Sequence, residues 1–268
     1  MLGTLAPARR RFVLGVLALA VVALLVGVAA YALTRPDPVD PVAQDTRGPV
    51  LLVPGYGGNT TRLEVLAEAL RQDGRDAEVV PLDPPATQDL RVQAEVLDRA
   101  VDRALARTGA PSVDVVGYSA GGVVVRLWVA EYGGGNVARR ALTLASPHHG
   151  TDLASLASDI APDSCPEACV QLAEGSELLQ ELNAGDETPP GPAWIALWTD
   201  DDRTVVPPDS GDLDGAVAFS IQSVCPDEAV SHGEVPSNLT VIAMVELELG
   251  TDAPRVPTGD VCVRRAAP

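Results

Sequence analysis

The sequence predicts an α/β fold in which a mostly parallel central sheet carries helices on both faces, preceded by an N-terminal hydrophobic helix. Three observations lead there. From Pro49 onward, apolar runs of strand length alternate with stretches whose apolar residues recur every three to four positions. One of those runs passes through a glycine-flanked serine straight into an apolar helix. Of the 268 residues, 46% are hydrophobic and 21% charged, a balance that can bury a core. The 37 acidic and 19 basic residues leave a formal charge of −18, which argues against a general nucleic-acid binder.

In chain order, residues 1–11 read as a cytoplasmic leader, because Arg9, Arg10 and Arg11 precede an uncharged run over 12–33. As a helix that run extends about 33 Å, enough for a bilayer core of about 30 Å. Two outcomes stay open. Either the run is a single-pass transmembrane anchor that holds the rest of the chain outside the cell, or it is a signal peptide removed near the small residues Ala30 and Ala32, with secretion. Residues 34–47, with Pro36, Pro38 and Pro41, form an extended linker, and 48–268 form the domain. Within it Val50–Val53 is a buried strand, and Thr61 with Glu64 has capping-box spacing for a helix carrying Leu63, Leu66 and Leu70 up to Gly74. Ala77–Pro81 is a second strand. Leu90, Ala94, Leu97, Val101 and Leu105 make a long helix, Val113–Gly117 a third strand, and Val123–Tyr132 the helix that follows the serine. Ala141–Ala145 and Ala193–Trp198 complete the strands that can be read from the pattern.

The chemistry gathers at these turns. Gly117, Tyr118, Ser119, Ala120, Gly121 form a Gly-x-Ser-x-Gly turn between strand and helix, the arrangement that exposes a nucleophilic serine. A serine hydroxyl needs a base to take its proton and an acid to orient that base. Of three histidines, His148 and His149 precede any suitable acid, and chain order leaves His232. The acid lies among the aspartates after Trp198: Asp202, three residues before Val205, is the first choice and Asp201 the second. Two backbone amides must meet the oxygen that becomes negative. Ala120 supplies one, and Tyr56, in the glycine-rich loop Pro54–Gly58, the other. That loop lacks the lysine of a phosphate-binding loop. No metal or organic cofactor is expected. The four cysteines, on the exported side, read as two disulfides, with Cys165–Cys169 and Cys225–Cys262 the preferred pairing.

With these residues on the page, the sequence resembles the α/β-hydrolase superfamily, and most closely bacterial triacylglycerol lipases of the class 2 or subtilis type. The resemblance covers about residues 48–249 and rests on the stretch Val53–Gly58, the turn Gly117–Gly122, the run Ser146–Thr151, the acid turn, and Ser231, His232, Gly233. It implies that the Ser-Pro-His-His-Gly-Thr stretch is a loop motif outside the triad. Pro54 stands where many relatives have histidine, and residues 152–192 are longer than a minimal connection, a cap or insert over the serine. The implied function is an extracytoplasmic serine hydrolase cleaving carboxylic esters, acyl glycerols foremost, through an acyl-enzyme on Ser119. The implied partner is a lipid or small ester substrate, and the chain is expected to be a monomer. An acyltransferase or thioesterase on the same triad, or a catalytically silent surface-binding protein, are the alternatives.

Overall fold

A computed structural model describes the backbone of residues 7–34 and 39–263, and side chains over 14–27 and 39–262. Contacts divide the chain into two units, Met1–Pro38 and Val39–Pro268. The first contains helix α1 (Pro7–Thr34). Among the described residues no helix is long and apolar enough to cross a membrane, so the anchor expectation gains no support. Side chains of α1 are described from Leu14 to Gly27. The other side chains of the 12–33 run lie outside the described residues, as do residues 35–38 of the linker.

The second unit is built on six strands, all parallel, in the order β2-β1-β3-β4-β5-β6. In chain order these are β1 (Val50–Val53), α2 (Thr61–Gln72), β2 (Ala77–Val79), α3 (Leu90–Thr108), β3 (Val113–Tyr118), α4 (Ala120–Glu131) and β4 (Ala138–Leu144). There follow α5 (Asp152–Ile160), α6 (Glu167–Gln171), α7 (Glu177–Leu182), β5 (Ala193–Trp198), β6 (Val217–Ser220), α8 (Ile221–Val224), α9 (Leu239–Glu248) and α10 (Asp260–Val263). Because strand side chains alternate, Leu51 and Val53 of β1 face one core with Leu97 of α3 and Leu127 of α4. Val50 and Leu52 face the other, with Leu66 of α2 and Met244 of α9. A sheet buried on both faces explains why its strands read as continuous apolar runs. The chain runs outward from β1 to β2 and then crosses back to β3, so the order reverses between β1 and β3. In open parallel sheets ligands bind at that reversal, outside the carboxyl ends of the strands.

Three local readings are corrected. The capping box expected at Thr61 and Glu64 does not form: Thr60 is the residue that precedes α2, and the Asn59 carboxamide accepts from the Thr61 N–H at 3.0 Å. Strand β2 stops at Val79, two residues short of Pro81, whose ring nitrogen has no proton for the ladder. Strand β4 starts at Ala138, because Arg139 and Arg140 are strand residues with fully buried side chains. Arg139 and Arg75 both donate to Asp114 Oδ2, at 2.6 and 2.5 Å, and to the Leu249 carbonyl. The cysteines pair as expected, Cys165 with Cys169 and Cys225 with Cys262.

Glu248, at the end of α9, is 3% exposed. Burial pushes its carboxyl up to about 7, against the pull of the Arg255 backbone and of the Arg140 and Arg255 charges. The folded protein therefore holds this proton more tightly than the unfolded chain, whose ordinary value is 4.5. Stability from this group is full below the ordinary value and is lost as pH rises through about 7. Thermal midpoints measured from pH 5 to 8 are expected to fall less steeply in Glu248→Gln than in the unsubstituted protein.

Candidate active site

The site is assembled at the carboxyl ends of the strands. Ser119 sits between β3 and α4 with φ 54° and ψ −128°, a left-handed conformation that a residue with a Cβ adopts only under constraint. Close packing supplies the constraint. A Cβ on Gly117 would stand 2.5 Å from the Gly121 carbonyl oxygen and the Gly122 Cα, so only glycine lets strand and helix meet there. Across the sheet reversal, a Cβ on Gly55 would lie 2.8 Å from the Ser119 Cβ, which places the loop after β1 directly against the serine.

His232 Nε2 lies 3.0 Å from Ser119 Oγ, and His232 Nδ1 lies 2.7 Å from Asp202 Oδ2. The other carboxylate oxygen, Asp202 Oδ1, accepts from the Thr204 and Val205 amides, both at 2.8 Å. That turn accounts for the three-residue spacing from Asp202 to Val205. Asp202 is 2% exposed and His232 9%. The second candidate, Asp201, points elsewhere: its Oδ2 accepts from Gln222 and from the Val230 amide. His232 opens a 3-10 turn, His232–Ser237, fixed by reciprocal bonds between Ser231 and Glu234.

Tyr118, the residue before the serine, holds the histidine from the other side. Its hydroxyl donates to the His232 carbonyl at 3.1 Å, and its ring centroid is 5.2 Å from the imidazole. Burial, and secondarily the Asp202 charge, pushes the Tyr118 hydroxyl up to about 12, so it remains a donor across the physiological range. Sequence reading did not single out Tyr118, whose contacts with His232 span 114 residues of sequence. Ala120 is the first residue of α4 and Tyr56 the first of the 3-10 turn Tyr56–Gly58. Amides at such starts have no partner within their own helix, which leaves them available to an incoming oxygen.

The other two histidines lie apart. His148 is fully buried with Nε2 3.0 Å from Thr143 Oγ1, and burial, reinforced by Arg126 and His149, holds its imidazole well below the usual range. His149 bonds Glu187 at 2.9 Å on the surface. Among the described residues no group of three or more His, Cys, Asp or Glu side chains is placed to hold a metal ion.

Two clefts meet at Tyr56, Ser119 and Thr204. One, of about 540 Å³, is lined by His232, Tyr118, Asn59, Thr61 and Arg62. The other, of about 290 Å³, is walled by Val205 and by residues of the segment after β4, among them Pro147, Leu153, Ala154, Ala157 and Leu172. Residues 152–192, expected as a cap or insert, thus form helices α5–α7, and the first part of that segment makes the apolar wall beside the serine.

A family model described as alpha/beta hydrolase fold matches residues 48–164. The chain superposes on Bacillus licheniformis lipase BlEst2 in its propeptide form with a TM-score of 0.65 at 20% identity, covering 83% of this chain and 54% of that one. The mature form of the same lipase gives 0.63 at 19% identity, covering 81% and 95%. Aspergillus fumigatus lipase B gives 0.65 at 21% identity, covering 81% of this chain and 56% of that one. The domain has the α/β-hydrolase fold. The chain spans about half the length of two of these lipase structures, 54% and 56%. Within this hydrolase fold the positions of Ser119, Asp202 and His232, each after a different strand, follow from the parallel sheet, which delivers every strand-to-helix turn to one edge.

Proposed function

We propose that the protein is a serine hydrolase of carboxylic esters, with acyl glycerols as the substrate class, acting outside the cytoplasm. One observation carries the reading: the serine in a left-handed turn lies 3.0 Å from a histidine nitrogen whose partner nitrogen lies 2.7 Å from a buried aspartate. Two disulfides favour an oxidising compartment, with 12–33 as the export segment.

In the proposed reaction Ser119 Oγ attacks the ester carbonyl carbon while His232 Nε2 takes the hydroxyl proton. The oxyanion lies against the Ala120 and Tyr56 amides. Collapse breaks the bond to the leaving oxygen, which receives the proton from His232, and an acyl-serine remains. Water then adds to the acyl carbon, giving its proton to His232. The second collapse releases the acid and returns that proton to Ser119. Since His232 must reach the leaving oxygen, the alcohol belongs in the cleft that His232 lines, and the acyl chain in the apolar cleft, which His232 does not line.

The test is labelling by a fluorophosphonate probe, followed by rates on p-nitrophenyl esters of increasing chain length. Labelling absent from Ser119→Ala, with rates rising toward the chain length that fills the apolar cleft, is the expected result. An unlabelled, folded unsubstituted protein rejects the reading. Asp202→Asn is expected to lower kcat by about 10⁴-fold. The two backbone amides on Asp202 Oδ1 would hold the new carbonyl oxygen. They would turn the new amide nitrogen toward His232 Nδ1 and favour the wrong imidazole tautomer. Steady-state kinetics on a soluble ester reads this directly.

A further inference from the structure

Among the described residues, the alcohol cleft carries a cation and no carboxylate. In a sequence with 37 acidic and 19 basic residues, no carboxylate lines either cleft among the described residues, and Arg62 lines the one that contains His232. Arg62 is exposed in the first turn of α2, and its guanidinium donates to Ser237 Oγ at 3.1 Å. Among the described residues no salt bridge neutralises it. Glu234, the carboxylate that feels its charge, is committed to Ser231, whose N–H and hydroxyl donate to Glu234 Oε2 at 3.0 and 2.5 Å. Arg71, Arg91 and Arg107, by contrast, each pair with a carboxylate. Beside Arg62, Asn59 uses its carboxamide oxygen on the Thr61 N–H, which leaves its amide nitrogen as a donor at the same wall.

Resting on the hydrolase reading above, we infer that Arg62 is a specificity-determining residue, and that the preferred substrates are carboxylic esters whose alcohol part carries an anionic group, with glycerol phosphate as the chemical class. A guanidinium pairs with a phosphate through two parallel hydrogen bonds, and its charge is retained at every pH the enzyme meets. The position is decisive. A cation in the acyl cleft would oppose a chain, whereas a cation on the leaving-group side attracts the charged half of the substrate and seats the ester bond over Ser119. The net charge of −18 repels an anion at long range, so the preference has to come from contact with Arg62 itself.

The experiment compares kcat/KM on two soluble esters that differ by one phosphate, 1-butanoylglycerol and 1-butanoylglycerol 3-phosphate. The unsubstituted protein is expected to prefer the phosphate ester by about tenfold. Arg62→Gln should bring the ratio of the two values near one, Arg62→Lys should restore part of it, and raising ionic strength from about 0.05 to 0.5 M should compress it. A ratio at or below one in the unsubstituted protein, or a preference that survives Arg62→Gln, overturns the inference while leaving the hydrolase reading intact. Failure to cleave either ester together with failure of Ser119 to react with a fluorophosphonate overturns the hydrolase reading and this inference with it.

Discussion

Replacing Ser119 is expected to abolish turnover and, in one variant, to stabilise the fold. Ser119→Ala removes the Oγ that lies 3.0 Å from His232 Nε2, and loss of a covalent nucleophile costs on the order of 10⁴- to 10⁶-fold in kcat. Ser119→Gly removes the same atom and also relieves the backbone, because φ 54° is a left-handed value that costs a residue with a Cβ about 1 kcal/mol or more. The two variants should thus be equally inactive while their midpoints of urea unfolding differ, with glycine above alanine. Equal midpoints would mean that the surrounding turn, not the residue at 119, sets the strain. Activity surviving in either variant would remove Ser119 from the reaction.

How much of this was legible in the sequence depends on what kind of physics placed each residue. The turn Gly117–Gly122 was legible because a single strand-to-helix corner imposes glycine at positions close in sequence. His232 and Asp202 were reachable by elimination and chain order, since the sequence contains few histidines and the aspartate bonds its own neighbours, Thr204 and Val205. Tyr118 and Arg62 were not singled out. Their significance lies in contacts across 114 and 175 residues of sequence, to the His232 carbonyl and to Ser237, which no local pattern encodes. The start of β4 was misread for a different reason. Arginine reads as a surface residue in any hydropathy pattern, and only a distant acid makes it an interior one.

That acid supplies the largest expected effect on stability. Asp114 is fully buried and receives Arg75 at 2.5 Å and Arg139 at 2.6 Å on a single oxygen. The terminal nitrogens of the two guanidiniums also donate to carbonyls of the incoming and outgoing chain, Gln44 and Gly48 on one side, Leu249 and Gly250 on the other. The cluster therefore joins both ends of the domain to the amino-terminal edge of β3 and β4, away from the edge that bears Ser119. Asp114→Asn leaves two buried cations without a countercharge, and breaking a buried pair from one side costs about 3–5 kcal/mol. Arg107→Gln, by contrast, opens an exposed pair with Asp76 whose side chains are 49% and 45% accessible, and should change stability by at most about 1 kcal/mol. If the charge pairing rather than the packing is what Asp114 supplies, replacing all three partners by apolar residues of similar volume should recover most of the loss. Urea unfolding of Asp114→Asn, Arg107→Gln and the apolar triple variant decides this. Equal destabilisation in Asp114→Asn and in the triple variant would mean that the cluster acts through the carbonyls of the two chain ends, and that those hydrogen bonds, not the carboxylate, close the domain.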